Sequence, residues 1–317
     1  MPLILPGAPW LVAHRSMLGV NRPNKLTLNG QDYVLWQNEL GKIFALNNVC
    51  PHMQAPLSNG WICKERDTLT CPFHALEFDG EGKSHREGKR DTQPVAQSLE
   101  LLVMGDCVWT YGSCEPRIAI PSIVEQIAFE YDFVGIAGEK TIQGDFLSTW
   151  LINSDFNHQN GTHRELFQIV QNRMTEFDQD GYWYKVKQES TRANNSVGEL
   201  LSNPVLLTIP KILKSTVEYF FPSVLVLYAD SSVGPFAQVV VQYPQQDSQT
   251  KIYELIFGKF KPTWIKPLLR QSMLKAIDVV VEQDSNAIET RYPYQPAKIK
   301  LQNEEVMMYA EKLYREW

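Results

Sequence analysis

The sequence predicts an α+β protein of two domains: a small all-β module over residues 1–115 and a helix-on-antiparallel-sheet domain over residues 116–317. Three observations predict it. Short strand-like runs broken by turn dipeptides fill the first third of the chain. A segment bearing Pro116 and Pro121, from Glu115 to Ser122, then divides two textures. Beyond it, longer strand-like runs lead into one long amphipathic helix and a shorter final one.

In the first module Lys25–Leu28, Tyr33–Trp36, Ile43–Leu46 and Val108–Tyr111 are brief apolar or alternating runs. Asn29-Gly30, Asn59-Gly60, Asp79-Gly80 and Gly105-Asp106 punctuate them as turns. In the second domain, Phe146 to Phe167 has few strong breakers before Asn160-Gly161 and is expected to be helical. Tyr182–Lys187, Val224–Tyr228, Ala237–Tyr243 and Lys251–Phe257 read as strands. The longest apolar run, Phe220–Ala229, is interrupted by Pro222 and Ser223 and is too short to cross a membrane. Thr263 to Thr290 reads as a long helix, and Asn303 to Trp317 as a final amphipathic one. On the long helix Leu274, Ile277, Val281, Asp284 and Ile288 form one stripe at alternating spacings of three and four. Gln271, Lys275, Asp278, Glu282, Ser285 and Glu289 form the opposing polar stripe. Asp284 is thus the one charge on the apolar face, where a carboxylate is costly unless it is paired or metal-bound. Asp278, Glu282 and Glu289 are expected to be solvated.

Composition narrows the function classes. The chain of 317 residues is 44% hydrophobic, as globular proteins are, and its net charge of −6 comes with no basic cluster. A nucleic-acid or anionic-membrane partner is therefore not expected. The first residues lack the basic-then-apolar pattern of a secretory signal. Five cysteines are an odd number. Cys63, Cys107 and Cys114 are expected as buried free thiols, which suits a reducing cytoplasm.

Four of the six histidines fall in two compact constellations. In the first, Cys50-x-His52 is followed by Cys71-x-x-His74. Two thiolates and two imidazoles can bind zinc, or hold a two-iron, two-sulfur cluster with the cysteines on one iron and the histidines on the other. In the second, Asp155-x-x-His158-x-x-x-x-His163, the aspartate and first histidine would share a helix face. His163 lies about 140° further round an ideal helix. Both imidazoles can meet one metal only if the helix bends or ends near Asn160-Gly161. A third ligand completes the 2-His-1-carboxylate set that leaves positions open on non-haem iron(II), and Asp284 is the candidate.

Cys50-Pro51-His52 through Ala55-Pro56-Leu57-Ser58 to Gly60, then Cys71-Pro72-Phe73-His74 and Phe78-Asp79-Gly80, resembles the Rieske iron–sulfur domain. Pro9–Ala13 and Tyr33–Trp36 resemble the opening of that domain in Rieske oxygenases. The family often has Arg-Gly where this chain has Met53-Gln54, and Gly-Trp where it has Ala75-Leu76. The downstream pattern of Asp155, His158, His163 and a distant Asp284 resembles the catalytic domain of Rieske non-haem iron oxygenases. The resemblance implies a [2Fe-2S] cluster on Cys50, His52, Cys71 and His74, and Fe(II) on His158, His163 and Asp284. It implies that Asp155 bridges to a cluster histidine of the neighbouring subunit in a head-to-tail homotrimer. The family usually has an Asn three or four residues before that Asp. Here Leu151 and Ile152 stand there, and Asn153 is not assigned that part.

The function implied is a terminal oxygenase that uses O2 to hydroxylate, dihydroxylate or demethylate a small aromatic, terpenoid or alkaloid molecule. The chain has no plant-type ferredoxin motif and no G-x-G-x-x-G fingerprint, so a separate ferredoxin or flavin reductase must supply NAD(P)H electrons. The competing classes are a Rieske electron carrier with an idle second site and a zinc-stabilised binding module.

Overall fold

The computed structural model describes residues 3–86, 89–292 and 298–317. The chain divides into two compact units, Met1–Ile120 with Tyr243–Asp247, and Pro121–Gln242 with Ser248–Trp317.

The first unit is built of short antiparallel strands. Strand β1 (Trp10–His14) leads into a one-turn helix, α1 (Arg15–Leu18). A meander follows, of β2 (Asn24–Leu28), β3 (Gln31–Gln37) and β4 (Ile43–Asn47). A second sheet runs β5 (Trp61–Cys63), β6 (Thr68–Thr70), β7 (Glu77–Phe78), β8 (Ser84–Arg86) and β9 (Lys89–Arg90). In a third, β11 (Cys107–Thr110) pairs with both β1 and β10 (Leu102–Met104). The core gathers the inward residues of β3, β4, β6 and β7, among them Val34, Trp36, Leu46, Leu69 and Phe78. Cys50 and Cys71 sit within it.

The second unit opens with α2 (Ile123–Glu130) and β12 (Asp132–Ile142). Then come α3 (Phe146–Ser154), α4 (Arg164–Phe167), β13 (Ile169–Asp180), β14 (Trp183–Arg192) and α5 (Val197–Ser202). Strands β15 (Ile212–Phe220), β16 (Val224–Ser231), β17 (Gly234–Gln246) and β18 (Gln249–Gly258) precede α6 (Ile265–Glu289) and α7 (Glu305–Arg315). The strands make one seven-stranded sheet in the order β12-β18-β17-β16-β15-β14-β13, with β13 through β17 an antiparallel meander. Strands β12 and β13 are consecutive among the strands yet occupy opposite edges of the sheet. The chain between them must therefore cross the sheet, and it carries α3, His158, His163 and α4. No helix among the described residues is long and apolar enough to cross a membrane.

The structure corrects four sequence expectations. Phe146–Phe167 is not one helix: α3 stops at Ser154, a 3₁₀ turn spans His158–Asn160, and α4 starts at Arg164. The cause is Asp155. It adopts an extended backbone, and its Oδ1 accepts from the Asn157 backbone N–H at 2.8 Å, an Asx-type turn that competes with the helix. Asp155 and His158 therefore do not share a helix face. Strands β12, β13 and β15 were not expected. Most of β13 is at least half exposed and polar, Ile-Val-Gln-Asn-Arg-Met-Thr-Glu, so it lacks the apolar alternation that marks a half-buried strand. The polar side of α6 is not merely solvated. Asp278 Oδ1 accepts from Gly138 N at 2.7 Å, Glu282 pairs with Lys140 at 2.8 Å, and Glu289 accepts from Gln143 N at 2.9 Å. All three carboxylates thus fasten α6 to β12 and the turn after it. Finally, Cys63 and Cys114 are half-buried rather than buried, whereas Cys107 is buried; none of the five cysteines is in a disulfide.

Candidate functional site

In the first unit the residues 50–54 and 71–75 form two loops of the same design. Gln54 N donates to Cys50 O at 2.9 Å, and Cys50 N to Ala55 O at 2.9 Å. In the other loop Ala75 N donates to Cys71 O at 3.1 Å, and Cys71 N to Leu76 O at 2.8 Å. Each loop thus folds back on its own cysteine and lifts a histidine to the rim. Cys50 and Cys71 are buried and adjoin each other, while His52 and His74 are exposed with ring centroids 4.7 Å apart. Burial pushes the Cys50 thiol up, and backbone N–H groups of His52 and Met53 oppose that shift. Such donors favour a thiolate, the form that binds iron. A buried pair of sulfurs facing an exposed pair of imidazoles fits a two-iron cluster with one iron inward and one outward.

The family's glycine positions are the ones this chain fills with Gln54 and Ala75. Both lie in the left-handed region, at φ 55° and 54°. A side chain there costs about 1–2 kcal/mol, and glycine gives back part of the gain in unfolded-chain entropy. Gln54→Gly and Ala75→Gly should each stabilise the first unit by about 0.5–1 kcal/mol, read as a raised denaturant midpoint for loss of the cluster's visible absorbance. A lowered midpoint would show that the side chains are held by contacts that outweigh the strain.

In the second unit the broken segment brings its two histidines together. His158 Nε2 and His163 Nε2 lie 3.2 Å apart. Asp284, from the buried face of α6, places Oδ1 3.1 Å from His163 Nε2 and 3.7 Å from His158 Nε2. Both rings are oriented from behind. His158 Nδ1 donates to the Asp155 carbonyl, and His163 Nδ1 donates to Gln283 Oε1 at 2.8 Å. A neutral imidazole that donates through Nδ1 presents a lone pair at Nε2. Two such lone pairs and a carboxylate oxygen therefore face one point, and the buried Asp284 Oδ1 has no hydrogen-bond partner among the described residues. An ion with bonds of about 2.0–2.2 Å can touch all three at once. The residues fit a metal, and as a 2-His-1-carboxylate set they fit non-haem Fe(II). Burial pulls both imidazoles down. At His158 burial wins, whereas at His163 the Asp284 carboxylate and Gln283 outweigh it and hold the ring up.

The segments that carry these side chains have supports of their own. Asp145 caps α3 by accepting from Ser148 N at 2.8 Å. Trp150 anchors α3 to the sheet, donating through Nε1 to the Tyr184 hydroxyl at 2.8 Å, and Tyr184 stacks on Tyr219 with centroids 4.3 Å apart. Arg192, buried on β14, donates to the Phe167 and Ile209 carbonyls and so pins the last residue of α4. Asn153 is occupied: its Nδ2 donates to Thr149 O, and its carbonyl accepts from the Tyr219 hydroxyl.

A cavity of about 200 Å³ opens onto His158, His163 and Asp284, between the sheet and α6. Its wall is mostly apolar, with Val186, Val217, Leu227, Val240, Phe236 and Met273 among the lining residues. Sequence reasoning missed Arg192, Gln238 and Glu254 in its wall, and Gln283 behind His163. Glu254 did carry a signal: it is the one charge inside Ile252–Phe257, an otherwise apolar central-strand run. It is 2% exposed, and burial, with the Asp284 and Asp278 carboxylates adding, pushes its carboxyl well above the usual range.

Comparison with known proteins agrees with this geometry. Residues 9–97 match the Rieske [2Fe-2S] domain family. The chain is 32% identical over 127 residues to aminopyrrolnitrin oxygenase PrnD of Pseudomonas fluorescens, a stretch covering 37% of this chain and 34% of that protein. It is 27% identical over 243 residues to the 4beta-methylsterol monooxygenase of Methylococcus capsulatus, covering 72% of this chain and 62% of that one. In both cases the match spans less than two thirds of the relative's own length. The crystal structure of dicamba monooxygenase bound to dicamba superposes with a TM-score of 0.78 at 18% identity, over 99% of both chains, which shows a common fold. The chain thus carries a Rieske [2Fe-2S] domain over residues 9–97 and shares, along its length, the fold of dicamba monooxygenase.

Proposed function

We propose that the protein is a terminal oxygenase that inserts oxygen into, or oxidatively demethylates, a small organic molecule held in the cavity of the second unit. The observation that carries this reading is the convergence of His158, His163 and Asp284 on one point at the mouth of an apolar cavity, in a chain that also bears a Rieske domain. Residues 1–115 then receive electrons and residues 116–317 hold the substrate. Iron on the three ligands would supply activation of O2, and a cluster on Cys50, His52, Cys71 and His74 would supply electrons singly.

The chain's own residues do the rest. The Asp155 carbonyl and Gln283 fix the two imidazoles so that both Nε2 atoms face inward. The apolar wall excludes bulk water and strengthens every polar contact inside. A ferredoxin or flavin reductase using NAD(P)H is the electron source, and molecules like those in the relatives' names, aminopyrrolnitrin and a 4beta-methylsterol, are candidate substrates. Five cysteines, none in a disulfide, support a reducing, cytoplasmic setting.

Asp155 is assigned to the link between copies of the chain. Its carboxylate has one hydrogen-bond partner among the described residues, the Asn157 N–H on Oδ1, which leaves Oδ2 open. The two cluster histidines are exposed, as are Met53 and Phe73 beside them, so they can meet a neighbouring copy. Head-to-tail contacts of this kind close into rings, and the assembly proposed is a homotrimer. Asp155→Asn keeps an acceptor for Asn157 and should keep both metal centres, while turnover falls by at least about tenfold, the lower range for groups that orient metal ligands. Unchanged single-turnover kinetics would remove Asp155 from the link.

The test of the whole reading mixes two inactive variants, Cys71→Ser without cluster and Asp284→Ala without iron. In randomly mixed rings about a quarter of the interfaces join an intact cluster to an intact iron site. Reductant-driven oxygen uptake, assayed over candidate substrates with a surrogate ferredoxin and reductase, should return to about that fraction of the wild-type value. A monomer by light scattering, or no regained uptake after confirmed mixing, would overturn the trimer. Two irons per chain in the wild type instead of three would favour the electron carrier.

A further inference from the structure

We propose that Glu254 and Gln238 are the polar anchor of the substrate cavity and that they take a hydroxyl or carbonyl oxygen on an otherwise apolar, uncharged substrate. The inference rests on reading this cavity as the oxygenation site, and it adds the chemistry of the molecule held there.

Other buried polar side chains in the cavity wall are already committed. Gln188 Nε2 donates to Ser215 Oγ at 2.9 Å, and Ser190 Oγ to Asn172 Oδ1 at 2.8 Å. Arg192 is committed to backbone carbonyls and Asn195, and Thr208 Oγ1 to the Val205 carbonyl. These groups line the cavity but are already paired. Glu254 differs. Its Oε2 accepts from Gln238 Nε2 at 2.6 Å, and Gln238 is the only hydrogen-bond partner of its side chain among the described residues. Both residues line the cavity.

The form of Glu254 follows from its surroundings. It projects from β18 between Tyr253 and Leu255, with Ile252 and Ile256 also buried. Burial is the largest influence on its carboxyl, and the carboxylates of Asp284 and Asp278 act in the same direction. An ionised carboxylate in such a place is strongly disfavoured, so the group is a carboxylic acid. With one oxygen accepting from Gln238, the acid's O–H remains for a partner. A ligand that displaces water from this wall must meet that O–H with an oxygen or leave a buried donor unpaired, a penalty of roughly tenfold in affinity.

The test uses matched ring compounds that differ by one hydroxyl: naphthalene and 2-naphthol, biphenyl and 4-phenylphenol, decalin and decahydro-2-naphthol. Binding is measured by equilibrium dialysis against the anaerobic holoprotein without reductant, so that no turnover intervenes. For at least one pair the wild type should favour the hydroxyl compound by roughly tenfold. Glu254→Gln, which can still donate and accept, should keep the preference. Glu254→Leu should abolish it while binding the hydrocarbon as well or better; Glu254→Met replaces that variant if it does not fold. The proposal is overturned if no pair shows a preference in the wild type, or if the preference survives in the leucine or methionine variant. It is also overturned if 2-naphthylmethylamine binds best and loses that advantage in Glu254→Gln, which would mark Glu254 as an anion for a cationic substrate. Iron content and oxygen uptake of the same preparations report separately on the oxygenase reading. A protein with no third iron that still shows the hydroxyl preference keeps the anchor and loses the oxygenase.

Discussion

Asp284→Ala should purify with two irons per chain instead of three, keep the cluster's visible spectrum, and lose substrate oxidation by more than about 100-fold. Removing groups that only orient ligands already costs metal affinity 10–100-fold, and here a ligand itself is removed. The change should not unfold the protein. Asp284 is a buried carboxylate whose Oδ1 has no hydrogen-bond partner among the described residues, and Glu254 lies close enough to feel its charge. Without metal, that group is a burden on the fold. In the presence of chelator the variant should therefore melt no lower than the wild type. Without chelator the wild type should melt higher, since an ion that binds only the folded chain stabilises it by mass action. Three irons and full turnover in the variant would move the carboxylate ligand elsewhere.

Gly138→Ala should destabilise the second unit by about 3 kcal/mol and weaken its hold on iron, although Gly138 touches no ligand. Gly138 sits in β12 at φ 62°, and a Cβ there would lie 2.5 Å from Val281 Cγ2. Val281 is on the buried face of α6, one turn before Asp284. The conformational penalty is about 1 kcal/mol, and forcing a methyl into packed side chains adds about 1–3 kcal/mol. Gly181 supplies the control. It has φ 55° in the turn between β13 and β14 with open space around it, so Gly181→Ala should cost about 1 kcal/mol and leave iron untouched. Denaturant midpoints followed by tryptophan fluorescence, with iron content of the folded protein, check both. Equal losses in the two variants would mean that α6 gives way freely and is not braced by β12.

These two results lean on features of very different visibility in the sequence. The two Cys/His loops were legible because their candidate ligands are local: Cys50, His52, Cys71 and His74 belong to two short turns, and their spacing points to the chemistry. Asp284 was legible because a single charge on an apolar stripe has few explanations. The α+β class and the long helix followed from periodicity. What escaped depends on partners remote in sequence. The end of α3 at Ser154 turns on the Asp155 side chain preferring the Asn157 N–H to a helical environment. The strand Ile169–Asp180 is held by backbone pairing with β14, to which its polar side chains give no clue. Asp278 and Glu289 read as solvated because the backbone donors they meet, at Gly138 and Gln143, are far away in the chain. Gln283 stood beside Asp284, yet only the fold shows that it holds His163.

That last pair is 120 residues apart in sequence, and the separation imposes an order on cofactor loading. The cysteines of the first unit are about 20 residues apart, and closing a loop of that length loses little chain entropy. Its two loops can come together, and a cluster can be seated, while the rest of the chain is still unformed. The donors of the second unit cannot meet until β13 through β18 have paired and α6 has folded back onto β12. A mononuclear ion therefore finds its full ligand set only in a nearly finished protein. On that account the cluster would be acquired during folding and the lone iron after it, and a chain caught between the two would be coloured, folded and idle.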